Sequence, residues 1–161
     1  MIILGLDPGL ATTGYGIIEM VGSKAKLIDY GVMVTKPSTP FSTRLKELSD
    51  MTANLIAAHQ IDEVAIEELF FSSNKKTALA VAQARGVLVL TVEQANIINT
   101  SYKPNEIKLA VAGYGGADKQ QVQYMVQKLL CLDHKPKPDD AADGLAIAIC
   151  HMNSRKLRAV G

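Results

Sequence analysis

The stretch Met1-Ile2-Ile3-Leu4-Gly5-Leu6 carries no polar side chain and then breaks on Asp7-Pro8-Gly9. A strand with one face in water alternates apolar and polar residues. An unbroken apolar run that ends in turn residues therefore reads as a strand buried on both faces. That demands layers, with a sheet covered on each side. It also draws attention to Asp7, because open α/β sheets bind their ligands at the carboxyl ends of strands.

The chain's punctuation sets the remaining elements. Gly14 to Met20 and Lys26 to Thr35 read as strands joined by a hairpin turn at Gly22-Ser23-Lys24, so the opening is an antiparallel meander. Pro37 and Pro40 break it, and Ser42 is placed to cap a helix with the apolar stripe Leu45, Leu48, Met51, Leu55 and Ile56. Val64-Ala65-Ile66-Glu67 is a short strand ending in acid, as the first one does. Asn74 can cap a helix through Val92, Ile97 to Tyr102 is a further strand, and Pro104 opens another helix. After a turn at Gly113 to Gly116, Asp118 can cap a helix through Leu130. Pro136 and Pro138 then lead into a last helix from Asp140 to about Asn153. The order βββαβαβααα predicts an α/β fold, a mixed sheet covered by helices. With 161 residues and no repeat or linker, the expectation is one domain over 1–153 and a short basic tail, 154–161, carrying Arg155, Lys156 and Arg158.

Composition excludes several classes. Hydrophobic residues at 48% against 20% charged allow an ordinary core and argue against disorder. The longest apolar stretch, Ala78 to Val92, contains Gln83 and Arg85 and falls short of the about 20 residues a membrane span needs. No basic residue precedes Lys24 and Asp7 interrupts the first apolar run, so a secretory signal does not fit. Cys131 and Cys150 alone make neither a disulfide framework nor a four-thiolate zinc site. The expected compartment is the cytoplasm. The net charge of +1 lacks the basic excess of a passive nucleic-acid binder. The acids are clustered, however: Asp62, Glu63, Glu67 and Glu68 in one group, Asp139, Asp140 and Asp143 in another. Cations held there would leave the rest of the surface more basic, so a polyanionic partner stays open.

Asp7 and Glu67 project from one sheet edge if their strands are neighbours. Asp140 and Asp143 share one face at the start of a helix, whose N-terminus favours negative charge. Two unit charges about 4 Å apart repel by roughly 4 kcal/mol at an effective dielectric of about 20. Protonation, pairing with Lys or Arg, or a hard divalent cation would relieve this. Oxygen-only ligation favours Mg²⁺ or Mn²⁺, and two such ions can activate water and stabilise the leaving oxygen of a phosphodiester. Singly, each acid has an ordinary reading. Asp7 can be a turn residue, Asp139 or Asp140 a cap or rim acid, and Glu63 and Glu68 solvated. His134 is a weak candidate, and His151 reads as a helix-surface residue. Phe70 and Phe71 precede the polar loop Ser72 to Lys76; they either anchor it in the core or, beside Lys75 and Lys76, offer an aromatic that stacks on bases.

Taken together, Ile3-Leu4-Gly5-Leu6-Asp7-Pro8-Gly9 with Thr13-Gly14-Tyr15-Gly16 resembles the opening of the RuvC-type Holliday-junction resolvases. Also similar are Ala65-Ile66-Glu67 leading to Phe70, Asn74 with Gln83-Ala84-Arg85-Gly86-Val87, and Val111, Gly113 and Gly115 with Lys119 and Gln121-Val122. The last match is Asp140-Ala141-Ala142-Asp143 with Ala146-Ile147-Ala148. The resemblance runs from about residue 2 to residue 151. It implies a ribonuclease-H-like fold with helices on both faces of the sheet, and a homodimer that nicks four-way DNA junctions symmetrically in recombination and repair. Asp7, Glu67, Asp140 and Asp143 become the catalytic, metal-binding carboxylates, with Mg²⁺ expected, Mn²⁺ as a substitute, and one or two ions per site. The DNA-contacting set expected from the resemblance and the basic segments is Phe70, Lys75, Lys76, Arg85, Lys108 and Lys119. RuvA and RuvB are the implied partners. Asp139 adds a charge the family does not require there, and the chain after His151 is short. Two rival readings follow from the same residues. A nucleotide-binding enzyme of the actin and sugar-kinase superfamily would need a second lobe that 161 residues cannot supply. A non-enzymatic junction-binding module would need one of the four acids replaced, and none is.

Overall fold

The computed structural model describes residues 1–69 and 75–160, with side chains described to 155 apart from those of Lys75 and Lys76. The elements come in the expected order: β1 (Ile2–Asp7), β2 (Thr12–Val21), β3 (Lys24–Val34), α1 (Phe41–His59), β4 (Glu63–Glu67), α2 (Lys75–Gln94), β5 (Ile98–Tyr102), α3 (Pro104–Ala112), α4 (Lys119–Leu129) and α5 (Asp139–Val160). They build one five-stranded sheet ordered β3-β2-β1-β4-β5. The apolar run at the N-terminus takes the central place, antiparallel to β2 and parallel to β4.

Both faces of that sheet are covered, as the apolar run requires. Ile3, Ile18 and Ala65 pack with residues of α3, α4 and α5 in one core; Leu4, Leu6, Ile17, Val64 and Ile66 pack with α1 and α2 in the other. Successive residues of β1 and β4 thus feed opposite cores, the period of two that a strand imposes. Hence Ile3, Gly5 and Asp7 share the α5 side with Glu63, Ala65 and Glu67.

The closeness of α5 to the sheet is set by glycine. A Cβ at Gly5 would strike the backbone of Gly144 and Ala148, one at Gly14 the Asp140 carbonyl, and one at Gly16 the Leu145 backbone. Missing side chains on β1 and β2 let the first turns of α5 settle against the strand ends, so helix acids can meet strand acids.

Two expectations at helix ends are corrected. Ser42 caps nothing: α1 begins at Phe41, Pro40 holds the N-cap position, and its carbonyl already accepts from Arg44 N–H at 3.0 Å. The last helix does not stop near Asn153 but runs to Val160, tied to β4 through an Arg155–Glu63 ion pair at 2.6 Å. Residues 154–160 therefore continue α5. Asn74, the expected cap of α2, lies outside the described residues. Among the described residues, no helix is long and apolar enough to cross a membrane.

Candidate active site

The register places the first pair of acids. Ile3 lies opposite Glu63 and Gly5 opposite Ala65 in parallel pairing, which brings Asp7 and Glu67 side by side where β1 and β4 end. The glycine-lined contact then lays Asp140 and Asp143, in the first turns of α5, over the same edge. Asp7, Asp140 and Asp143 each offer one carboxylate oxygen, and these atoms lie within 4.8 Å of one another. Glu67 joins them through a hydrogen bond to Asp7.

The electrostatics are those of crowded acids. Burial, then the charges of Glu67 and Asp143, push the Asp7 carboxyl up to about 8. Burial also raises Glu67, against the opposing pull of the Asp7 hydrogen bond and of Lys108 and Lys119. Asp143 is raised by burial in spite of Lys119. Lys119 Nζ sits 2.9 Å from Asp143 and 3.8 Å from Asp139. Burial pulls this ammonium down, but the Asp143 hydrogen bond and the neighbouring acids outweigh it and raise its pKa. One lysine in contact does not neutralise four carboxylates, and these remain partly ionised only at a cost.

Both lysines reach the site from helix starts fixed by local sequence. Asp118 caps α4 reciprocally with Gln121: Asp118 Oδ1 accepts from Gln121 N–H at 2.8 Å, and Gln121 Oε1 accepts from Asp118 N–H at 2.9 Å. Lys119 is the next residue. At α3, Pro104 occupies the first turn and Glu106 accepts from Lys103 N–H at 2.7 Å, which fixes the helix that carries Lys108. Lys108 and Lys119 line a cleft of about 260 Å³ together with Glu67, Asp143, Ile107 and Val122. Its apolar wall and cationic rim open onto the acids.

Other expected residues land elsewhere. Arg85 turns part of its guanidinium inward: Nε donates to the Glu67 carbonyl at 3.0 Å and Nη2 to Ser101 Oγ at 2.6 Å. It braces the strand end that carries Glu67. Phe70 and Phe71 lie outside the described residues, as do the side chains of Lys75 and Lys76, whose backbone opens α2. Asp139 is exposed beside Lys119, and His134 is exposed.

Sequence reasoning missed a second polar cluster at the far end of α5. His151, taken for a surface residue, is only 3% exposed. Its Nδ1 lies 2.9 Å from Tyr102 Oη and its Nε2 2.7 Å from Glu63 Oε2. Glu63 is buried, not solvated, and takes Arg155 as well. Glu68 is half-buried, its N–H donating to the Tyr102 carbonyl at 2.8 Å. The signal was present in the spacing: Asp143, Ile147, His151 and Arg155 recur every four residues along one stripe of α5, and Glu63 shares the strand face of Glu67.

The donor set at the first cluster fits a hard cation. It is all carboxylate oxygen, gathered tightly and over-supplied with negative charge, with no thiolate or imidazole among its described members. The sequence profile described as "Crossover junction endodeoxyribonuclease RuvC" matches residues 3–151, a span that contains all four acids. This chain belongs to the RuvC family. Relatives of that name share 51% identity over 151 residues in Desulforamulus reducens (94% of this chain, 93% of the relative) and 52% over 155 residues in Caldicellulosiruptor saccharolyticus (96% and 93%). Among solved structures, Thermus thermophilus RuvC in complex with Holliday junction substrate superposes with a TM-score of 0.93 at 31% identity, covering 98% of this chain and 96% of that one. The yeast mitochondrial resolvase Ydc2 shares the fold at TM-score 0.72 and 17% identity, covering 98% and 82%. RuvC proteins are metal-dependent nucleases, and the acidic cluster meets that requirement.

Proposed function

We infer that this chain is a Holliday junction resolvase, an endonuclease that places paired symmetric nicks in four-way DNA junctions during homologous recombination and repair. The observation that carries the reading is the convergence of Asp7, Asp140 and Asp143 within 4.8 Å, with Glu67 bonded to Asp7, in a chain that matches the RuvC profile over residues 3–151. In this reading Asp7, Glu67, Asp140 and Asp143 are the catalytic carboxylates. They would hold Mg²⁺, or Mn²⁺ in its place, as one or two ions. When bound, the ion acidifies water and neutralises charge on the phosphodiester.

The chain's own residues do the rest. Asp7, protonated near neutral pH in the crowded site, gives up its proton when positive charge enters. Asp140 and Asp143, in the first turns of α5, would present their oxygens to the ion beside Asp7. Lys108 and Lys119 set positive charge at the wall of the cleft, where negative charge builds in the transition state. Arg85 holds the end of β4 so that Glu67 does not drift. Phe70, Lys75 and Lys76 complete the proposed set of DNA-contacting residues. A single domain offers one such centre, so two symmetric nicks call for a homodimer, working in the cytoplasm with RuvA and RuvB.

The test is a nicking assay on a synthetic four-way junction beside a matching linear duplex, with Mg²⁺ and with EDTA. Paired symmetric nicks in the junction alone, lost in EDTA, are expected. Tight binding without cutting would leave a junction-binding module, and equal cutting of duplex and junction would remove the structure selectivity.

A further inference from the structure

A second cleft meets the acid cluster from the other direction. It is lined by Gly9, Thr12, Arg44, Thr77 and Asp140 among others, and so lies between the β1–β2 loop and the starts of α1 and α2. The lysine-lined cleft touches the cluster at Glu67 and Asp143; this one touches it at Asp140. The acids therefore stand between two openings. A polynucleotide strand whose scissile phosphate sits at the cluster runs into both.

Arg44 is the cation of this second opening, and it is held in place. Its Nε donates to Thr35 Oγ1 at 2.9 Å. Thr35, itself buried, donates to the Leu10 carbonyl of the loop at 2.5 Å. The loop is further pinned by Thr13, whose hydroxyl accepts from Gly9 N–H at 3.2 Å and donates to the Gly9 carbonyl. Among the described residues the terminal guanidinium nitrogens of Arg44 have no acceptor and no carboxylate partner. Lys46 on the same helix, by contrast, pairs with Asp50 at 2.6 Å. A half-buried, oriented guanidinium left without an anion, one cleft away from a phosphodiester-cleaving centre, has the fork geometry that suits a phosphate.

We propose that Arg44 binds a backbone phosphate of the cleaved strand next to the scissile one, on the side away from Lys108 and Lys119. The subsite takes a phosphodiester whatever base it carries, because the guanidinium of Arg44 recognises the phosphate itself. Asp140 makes the cation necessary there, since a phosphate entering beside that carboxylate meets repulsion. The inference rests on the resolvase reading.

The test is junction binding in Ca²⁺ and single-turnover nicking in Mg²⁺, measured across a salt series for wild type, Arg44→Gln and Arg44→Lys. Arg44→Gln should weaken binding about tenfold, the scale of one charge-assisted hydrogen bond. It should also lower the slope of log K against log salt by about 1, as loss of one phosphate contact does. Arg44→Lys should restore the slope, which a merely structural role would not. Neutral methylphosphonates placed one at a time around the cut should then show a single position that weakens wild type and leaves Arg44→Gln indifferent. Wild-type nicking with an unchanged slope and methylphosphonate profile in a folded Arg44→Gln overturns the subsite and spares the resolvase reading. A wild-type protein that neither binds nor nicks junctions overturns both.

Discussion

Strand β4 begins and ends with glutamate, and the two ends have opposite electrostatics. Glu67, at the carboxyl end, sits among Asp7, Asp140 and Asp143 with Lys119 as the nearby counter-charge, and its pKa is raised, first by burial. Glu63, four residues earlier on the same strand face and under the same helix, is bound by Arg155 and His151. Its pKa is lowered, first by the Arg155 hydrogen bond, against the opposing effect of burial. Both carboxylates lie on the α5 side of the sheet, but only Glu63 is bound by residues of that helix. The difference is one of balance. At Glu63 the fold supplies the partners itself, which is what a structural ion pair needs. At Glu67 it gathers acids and leaves their charge to be met from outside, which is what a metal centre for phosphodiester cleavage needs.

The sharpest break in that contrast is Asp7→Asn. Removing a proposed metal ligand should cut junction nicking by at least about a thousandfold, or some 4 kcal/mol of transition-state stabilisation. Junction binding in EDTA should be kept, because metal-free Asp7 holds its proton up to about 8 and the substitution removes no charge facing the DNA near neutral pH. A nicking rate close to wild type in a gel assay would remove Asp7 from the metal set. Lys119→Met comes next. It should lower single-turnover nicking by about a hundredfold, within the range for loss of one preorganised charge at a developing anion. An unchanged rate would make Lys119 only a partner of Asp143.

Most of the acid-rich end was legible in the sequence, because its residues sit at places where strands and helices must stop. Asp7 and Glu67 each close an apolar run, and Asp140-Ala141-Ala142-Asp143 opens a helix with small residues that allow close packing. The order of all the strands and helices followed from the same punctuation. The paired end was not legible. Glu63 precedes its apolar strand and so looked solvated, and His151 was judged by its neighbours in sequence instead of by the stripe it shares with Asp143. Arg85 shows the same limit: the sequence marks a cation in a family motif, but not that its Nε and Nη2 also donate to the Glu67 carbonyl and Ser101. Whether a charge is satisfied depends on partners many residues away, 88 positions for the Glu63–His151 pair, and periodicity is silent at that range.

The paired end is tested by Glu63→Ala. The substitution strips His151 of its carboxylate and Arg155 of its anchor. An unpartnered buried polar group costs about 1–3 kcal/mol. Urea unfolding should show a loss of that size, while nicking per folded molecule stays near wild type at the opposite end of α5. A loss of nicking without a loss of stability would mean that the two ends are coupled through the helix, and the division between structural and functional acids would fail.

The pH dependence is the most discriminating test, because the two ends respond to pH with opposite sign. In metal-free protein Asp7 keeps its proton up to about 8, whereas in the unfolded chain it releases it near 3.8. Between those values the folded state binds more protons than the unfolded one, so this group's contribution to stability falls as pH rises across the window. Glu63 behaves the other way. Its folded pKa lies below the unfolded 4.5, so its contribution is full above that value and is lost as pH drops through the folded pKa. Melting curves in EDTA should therefore show Asp7→Asn gaining on wild type from mildly acidic pH up to about 8, with Mg²⁺ closing the gap at the upper end by taking the proton's place. Glu63→Gln should differ most from wild type at neutral pH and converge with it in acid. A constant offset between Asp7→Asn and wild type at every pH would show that the strand-end acids are not crowded in solution, and the contrast along β4 would then reduce to ordinary burial.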